Sequence, residues 1–122
     1  MDEVLKIFNN LKDYIDQHSI VEKSNIEILH SSMLGDSGLN FEYESKKLGV
    51  SILVWSSGVI DISSIFINEK DFLKSQEILN YIYNPPNWRN LNNNFPQDSI
   101  EILNNKIKII KESLEENCIL WR

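Results

Sequence analysis

The chain has 122 residues, 42% of them hydrophobic and 25% charged, a length and balance that suit one domain with its own core and exclude a disordered tract. Its net charge of −6 with scattered basic residues, Lys46-Lys47 being the only adjacent pair, argues against a nucleic-acid surface, which needs clustered cations to displace counterions. The single Cys118 excludes an internal disulfide and fits a reducing compartment, and no apolar stretch approaches the roughly 20 residues of a membrane span.

The first segment, Asp2 to about His18, is predicted helical. Val4, Phe8, Leu11 and Ile15 recur at helical spacing, with Leu5, Ile7 and Tyr14 widening the stripe. Asp2 is a capping candidate and Glu3 suits the positive end of the helix dipole. Charges run through this segment, so a signal peptide is not expected and the protein is placed in the cytoplasm. Ile26 and Ile28 alternate with Glu27 and Leu29 in a predicted first strand, and Ser31 to Gly38, with two glycines, reads as a loop.

From Leu39 to Ile67 the pattern is a three-strand meander. Leu39, Phe41 and Tyr43 alternate with Asn40, Glu42 and Glu44. Val50, Ile52 and Val54 alternate with Ser51, Leu53 and Trp55, and Ile60 and Ile62 with Asp61 and Ser63. If Ser56-Ser57-Gly58 forms a three-residue loop with Gly58 left-handed, Trp55 faces Val59, Val54 faces Ile60 and Ile52 faces Ile62. Pairing Tyr43 with Val50 then sets Phe41 against Ile52 and Asn40 against Leu53. One face is an ordinary core. The other collects Trp55, Leu53, Val59, Asp61, Asn40 and Glu42.

A second helix is predicted from Asn68, with Asp71 at its N3 position and Phe72, Leu73, Leu79, Ile82 and Tyr83 as its apolar side, ending at Asn84-Pro85-Pro86. An irregular Asn-rich segment with Trp88 and Phe95 follows. Asp98 with Glu101 is a second capping-box candidate, opening a last helix whose Ile100, Leu103, Ile107, Ile110, Leu114 and Trp121 fall at heptad spacings. The expected fold is α+β: an N-terminal helix, a four-stranded antiparallel meander, and two C-terminal helices on one face of the sheet.

No residues assemble into catalytic equipment. His18 ends a helix, where the dipole favours a cation. His30 adjoins Ser31 and Ser32, but neighbours in an extended chain point apart and no nucleophile elbow is present. Cys118 near a helix C-terminus is an unreactive thiol, Asp36 alone makes no metal loop, and the glycines at 35, 38, 49 and 58 form no phosphate cradle. Glu42 and Glu44 lie about 7 Å apart on one strand face, better read as solvated carboxylates than as an acid–base pair. The expected protein is not an enzyme and takes no cofactor or metal. Trp55, ringed by polar groups, has the composition of an interface anchor, with Leu53, Asp61, Glu42, Glu44 and Asn40 around it and Trp88 as a second candidate; the alternative is that the 85–97 segment or a helix folds over the outer face and buries it.

The stretch Ile52-Leu53-Val54-Trp55-Ser56-Ser57-Gly58-Val59-Ile60-Asp61, preceded by an acidic strand and a Leu48-Gly49 turn, resembles bacterial immunity proteins of polymorphic toxin and contact-dependent inhibition systems, the TriTu immunity group above all. The resemblance covers roughly residues 1 to 67 and touches Trp55, Gly58 and Asp61. It implies a cytoplasmic antidote, a monomer or weak dimer, that binds a cognate toxin domain and occludes its active site. A nuclease toxin, with a basic phosphate-binding surface, would suit the −6 charge. The alternative is an acidic secretion chaperone for an effector protein, a reading that an exposed heptad stripe on the last helix would favour.

Overall fold

A computed structural model describes residues 2–18, 23–31, 36–44, 48–68, 70–85 and 96–116. Along them run helix α1 (Asp2–His18), strands β1 (Lys23–Ser31), β2 (Asp36–Glu44), β3 (Leu48–Trp55), β4 (Ile60–Phe66) and β5 (Gln76–Tyr83), and helix α2 (Gln97–Glu116). The strands form one antiparallel sheet in the order β1-β2-β3-β4-β5. The α+β class holds. The four expected strands are present in their expected order, and a fifth has joined them.

That fifth strand replaces the predicted second helix. Asn68 does act as a cap: its Oδ1 accepts the N–H groups of Lys70 and Asp71, both at 3.1 Å. The turn it starts is a single 3-10 turn, Phe72–Lys74, and the chain then extends. Ile78 to Tyr83 is rich in β-branched and aromatic residues, and β4, with Ile60 and Ile62 on its core side, offers a partner ladder on its free edge. Leu79, Tyr81 and Tyr83 pack against the core cluster from the new strand. The predicted loop from Ser31 to Gly38 is also shorter than expected, because Asp36, Ser37 and Gly38 belong to β2.

The hairpin register is as the alternation predicts. Tyr43 faces Val50, Phe41 faces Ile52 and Asn40 faces Leu53; Ile52 faces Ile62 and Val54 faces Ile60. Gly58 has φ +98°. The Gly58 N–H donates to the Trp55 carbonyl at 2.8 Å, and the Trp55 N–H to the Val59 carbonyl at 3.0 Å. These two bonds close the three-residue turn.

Both helices cover the core side of the sheet. Val4, Phe8, Leu11 and Ile15 from α1, and Ile100, Leu103, Ile107, Ile110 and Leu114 from α2, are buried with Leu39, Phe41, Tyr43, Val50, Ile52, Val54, Ile60 and Ile62. The heptad stripe of α2 from Ile100 to Leu114 is therefore core, and Trp121 lies outside the described residues. At its start the Pro96 carbonyl accepts the Ile100 N–H at 3.1 Å. Pro96 thus holds the cap position, and Asp98, predicted to cap, lies inside the first turn, where the dipole favours a carboxylate.

Five strands, an odd number, separate two helices that each fold back over the same face, so α1 and α2 run parallel. Ile7 and Asn10 accordingly line one groove with Asn104, Ile107, Lys108 and Lys111. One helical step on, the Tyr14 hydroxyl donates to Glu115 Oε1 at 3.0 Å and approaches the Lys111 carbonyl at 3.4 Å. Burial first, then the hydrogen bond to Glu115 and the Glu115 charge, push the Tyr14 phenol up to about 12. A raised folded-state pKa means the neutral phenol is favoured by folding. Its stabilisation is complete below the ordinary value near 10 and disappears as pH rises through about 12. Absorbance titration is expected to show the Tyr14 phenolate forming late, and Glu115→Gln to move that step to lower pH.

Candidate partner-binding face

The side of the sheet away from the helices is built from the alternate residues of each strand, and the register arranges them in cross-strand rows. Gly38 and Trp55 face one another in the first row. Asn40, Leu53, Asp61 and Ile82 follow in the second, each directly opposite the next. The third holds Glu42, Ser51, Ser63 and Asn80, and the fourth Glu44, Gly49, Ile65 and Glu77. Asn40 Nδ2 donates to Glu42 Oε1 at 3.1 Å along the strand.

Trp55, Leu53, Asp61, Asn40, Glu42 and Glu44 thus come together on one face as the sequence predicts. Glu42, Glu44 and Asp61 are exposed, and Leu53 and Trp55 are half-buried. Trp88 lies outside the described residues, as do Cys118 and Trp121, and β1 enters the description through its backbone pairing alone. Ile82 was not foreseen. It is 61% exposed and sits beside Asp61, a place visible only once Ile78–Tyr83 is read as a strand. The Tyr81-Ile82-Tyr83 run, alternating and strongly β-forming, carried that signal.

Trp55 has a structural role that the alternation did not reveal. Its ring lies across the neighbouring strand at Gly38: a Cβ there would be 2.9 Å from Trp55 Cε3 and 3.1 Å from the Val54 carbonyl oxygen. Only glycine leaves room for the indole to lie against the backbone, which is why Trp55 is half-buried on an open face. Ile65 similarly covers Gly49, where a Cβ would meet Ile65 Cγ2 at 3.4 Å. Trp55→Ala is therefore expected to cost about 1–3 kcal/mol of stability through lost apolar burial, read as a lower urea midpoint. Substitutions at exposed Asp61 or Glu42 are expected to leave the midpoint unchanged.

On strands β2 to β5 the charge of this face is of one sign. Strands β2 to β5 contain no Lys or Arg at all, while Glu42, Glu44, Asp61 and Glu77 stand on their outer rows. The described cations fall on the helices, on the β4–β5 connection and at Lys23, which opens β1 opposite Glu44. The two described ion pairs, Lys12–Asp16 and Lys108–Glu112, are both within helices, whereas Lys106 over the Tyr81 ring joins α2 to β5 and Lys111 over the Tyr14 ring joins α2 to α1. Among the described residues no three His, Cys, Asp or Glu converge as a metal site, and no helix is long and apolar enough to cross a membrane. The face can bind by contact area and charge. The sequence matches no family model, and neither a curated protein nor a solved structure matches it.

Proposed function

We propose that this chain is an immunity-type binding protein of the cytoplasm that captures a basic toxin domain on the outer face of its sheet. The observation that carries the reading is the separation of charge: four strands without a single cation present exposed carboxylates around Leu53, Trp55 and Ile82. Apolar side chains in the middle of such a face supply contact energy, and the surrounding carboxylates supply orientation and speed of capture. Against a nuclease, carboxylates spaced along a strand would occupy the positions that substrate phosphates take on a basic surface. Inhibition then needs no chemistry, only residence over the active site. The toxin's nuclease character and the antidote role rest on the hairpin resemblance; the basic character of the partner rests on the charge of the face.

The test is co-purification of the tagged chain from its native operon. A bound protein with a basic domain, released progressively as salt rises, is the expected result. Recovery of an acidic partner, or of one whose binding is indifferent to salt, would overturn the reading.

A further inference from the structure

Strand β5 is held unequally along its length. None of its eight residues is buried, whereas buried residues alternate along β3 and β4. Its C-terminal half is nonetheless tied down: Lys106 of α2 lies 4.2 Å over the Tyr81 ring, and buried Pro85, just beyond the strand, packs at the Gly58 turn. In the N-terminal half Gln76 and Glu77 are exposed, and Ile78 and Leu79 meet the core only in part. The β4–β5 register shifts between Ser64 and Ile65, opposite Leu79 and Glu77, and such a shift interrupts the ladder. Ser64, directly opposite Leu79, is 1% exposed, and its hydroxyl has no hydrogen-bond partner among the described residues. That burial is unfavourable. The turn leading into β5 is self-contained in its described hydrogen bonds. Asn68 Oδ1 accepts the N–H groups of Lys70 and Asp71, Asp71 Oδ1 accepts that of Leu73, and Ser75 Oγ accepts that of Asn68. Leu73 in this turn is 93% exposed.

We propose that the N-terminal half of β5, Gln76 to Leu79, swings away from β4 together with its turn as one unit, while Tyr81 to Tyr83 stays in place. Few apolar contacts resist the movement, and the turn keeps its own hydrogen bonds throughout. Opening at Leu79 admits water to the Ser64 hydroxyl, which offsets part of the cost of separating the strands. The device reshapes one end of the sheet. Glu77 travels with the moving half and the β4 backbone from Ser64 to Phe66 is uncovered, whereas Glu42, Glu44 and Asp61 keep their positions on β2 and β4. The movement belongs to the free chain, so it stands or falls separately from the proposed capture of a partner.

The experiment is amide hydrogen exchange of the full chain, followed residue by residue by NMR at several low urea concentrations, beside Ser64→Ala. The amides that bridge β4 and β5 between Ser64 and Phe66 and from Gln76 to Leu79 are expected to exchange on the order of a hundredfold faster than those pairing β2 with β3 around Phe41 and Ile52. Their urea dependence should be much weaker than that of global unfolding, because a small opening exposes little surface. The bridging amides of Tyr81 to Tyr83 should follow the slow class. Ser64→Ala removes the unpartnered hydroxyl and is expected to slow exchange from Gln76 to Leu79 by about tenfold. Exchange of these amides only through global unfolding, fast exchange running on through Tyr83, or exchange that Ser64→Ala leaves unchanged overturns the proposal.

Discussion

Phe41→Ala is expected to lower the unfolding free energy by about 3–5 kcal/mol, the usual range for truncating a fully buried ring. Phe41 is completely buried in the middle of β2, opposite Ile26 on one side and Ile52 on the other. Its ring meets that of Phe8 from α1, with centroids 5.8 Å apart and planes tilted by 50°, so it joins the first helix to the sheet. A domain of this size commands about 5–15 kcal/mol in all, and the loss is a large share of it. Thermal melting should fall by roughly 10–20 °C. A fall of less than about 5 °C would mean that α1 is not anchored through this ring.

Gly58→Ala is expected to cost about 3 kcal/mol, an effect out of proportion to one methyl group. Its φ of +98° is strained for any residue with a Cβ, at about 1–2 kcal/mol. The new Cβ would also stand 2.6 Å from Ser99 Oγ, 2.9 Å from Pro96 Cγ and 3.2 Å from Pro85 Cγ. The turn between β3 and β4 is thus gripped by the end of the β5 segment and the start of α2, and the buried Ser99 hydroxyl donates to the Gly58 carbonyl at 3.0 Å. Neither proline ring can yield as a flexible side chain would. Ser99→Ala alone should cost about 1 kcal/mol for the lost hydrogen bond. The two changes together should cost less than their sum, because the first already displaces the second's partner. Additive urea-melt values would show that the turn and α2 are not coupled.

The meander was legible because its signals agreed: alternation, a turn of Ser56-Ser57-Gly58, and apolar pairs that a slip of one residue would break. The helical stripes of Val4–Ile15 and Ile100–Leu114 were legible for the same reason. From Asn68 to Tyr83 the signals conflicted. The Asn68 cap is real, and Phe72, Leu73, Leu79, Ile82 and Tyr83 fit a helical side, yet the strand prevailed because β4 supplied a partner that no local pattern contains. With that exchange came Ile82, beside Asp61 on the outer face of the sheet. The contacts at Gly38 and Gly58 were illegible for another reason. Each depends on a residue distant along the chain, Trp55 in one case, Pro85, Pro96 and Ser99 in the other. The clustering of Trp55, Leu53, Asp61, Asn40 and Glu42 needed only parity, so it could be read in advance.

The central claim is that the acidic outer face of the sheet makes the capture. Trp55 is unsuited to testing it, since its ring also covers Gly38. The exposed carboxylates are separable from the fold. The most direct measurement is therefore the affinity of Glu42→Lys/Asp61→Lys for the protein that co-purifies with the wild-type chain, read beside its melting temperature. The double charge reversal is expected to weaken binding by about a hundredfold or more, with no change in melting and loss of protection in cells producing the toxin domain. Wild-type affinity and full protection in that variant would contradict the account.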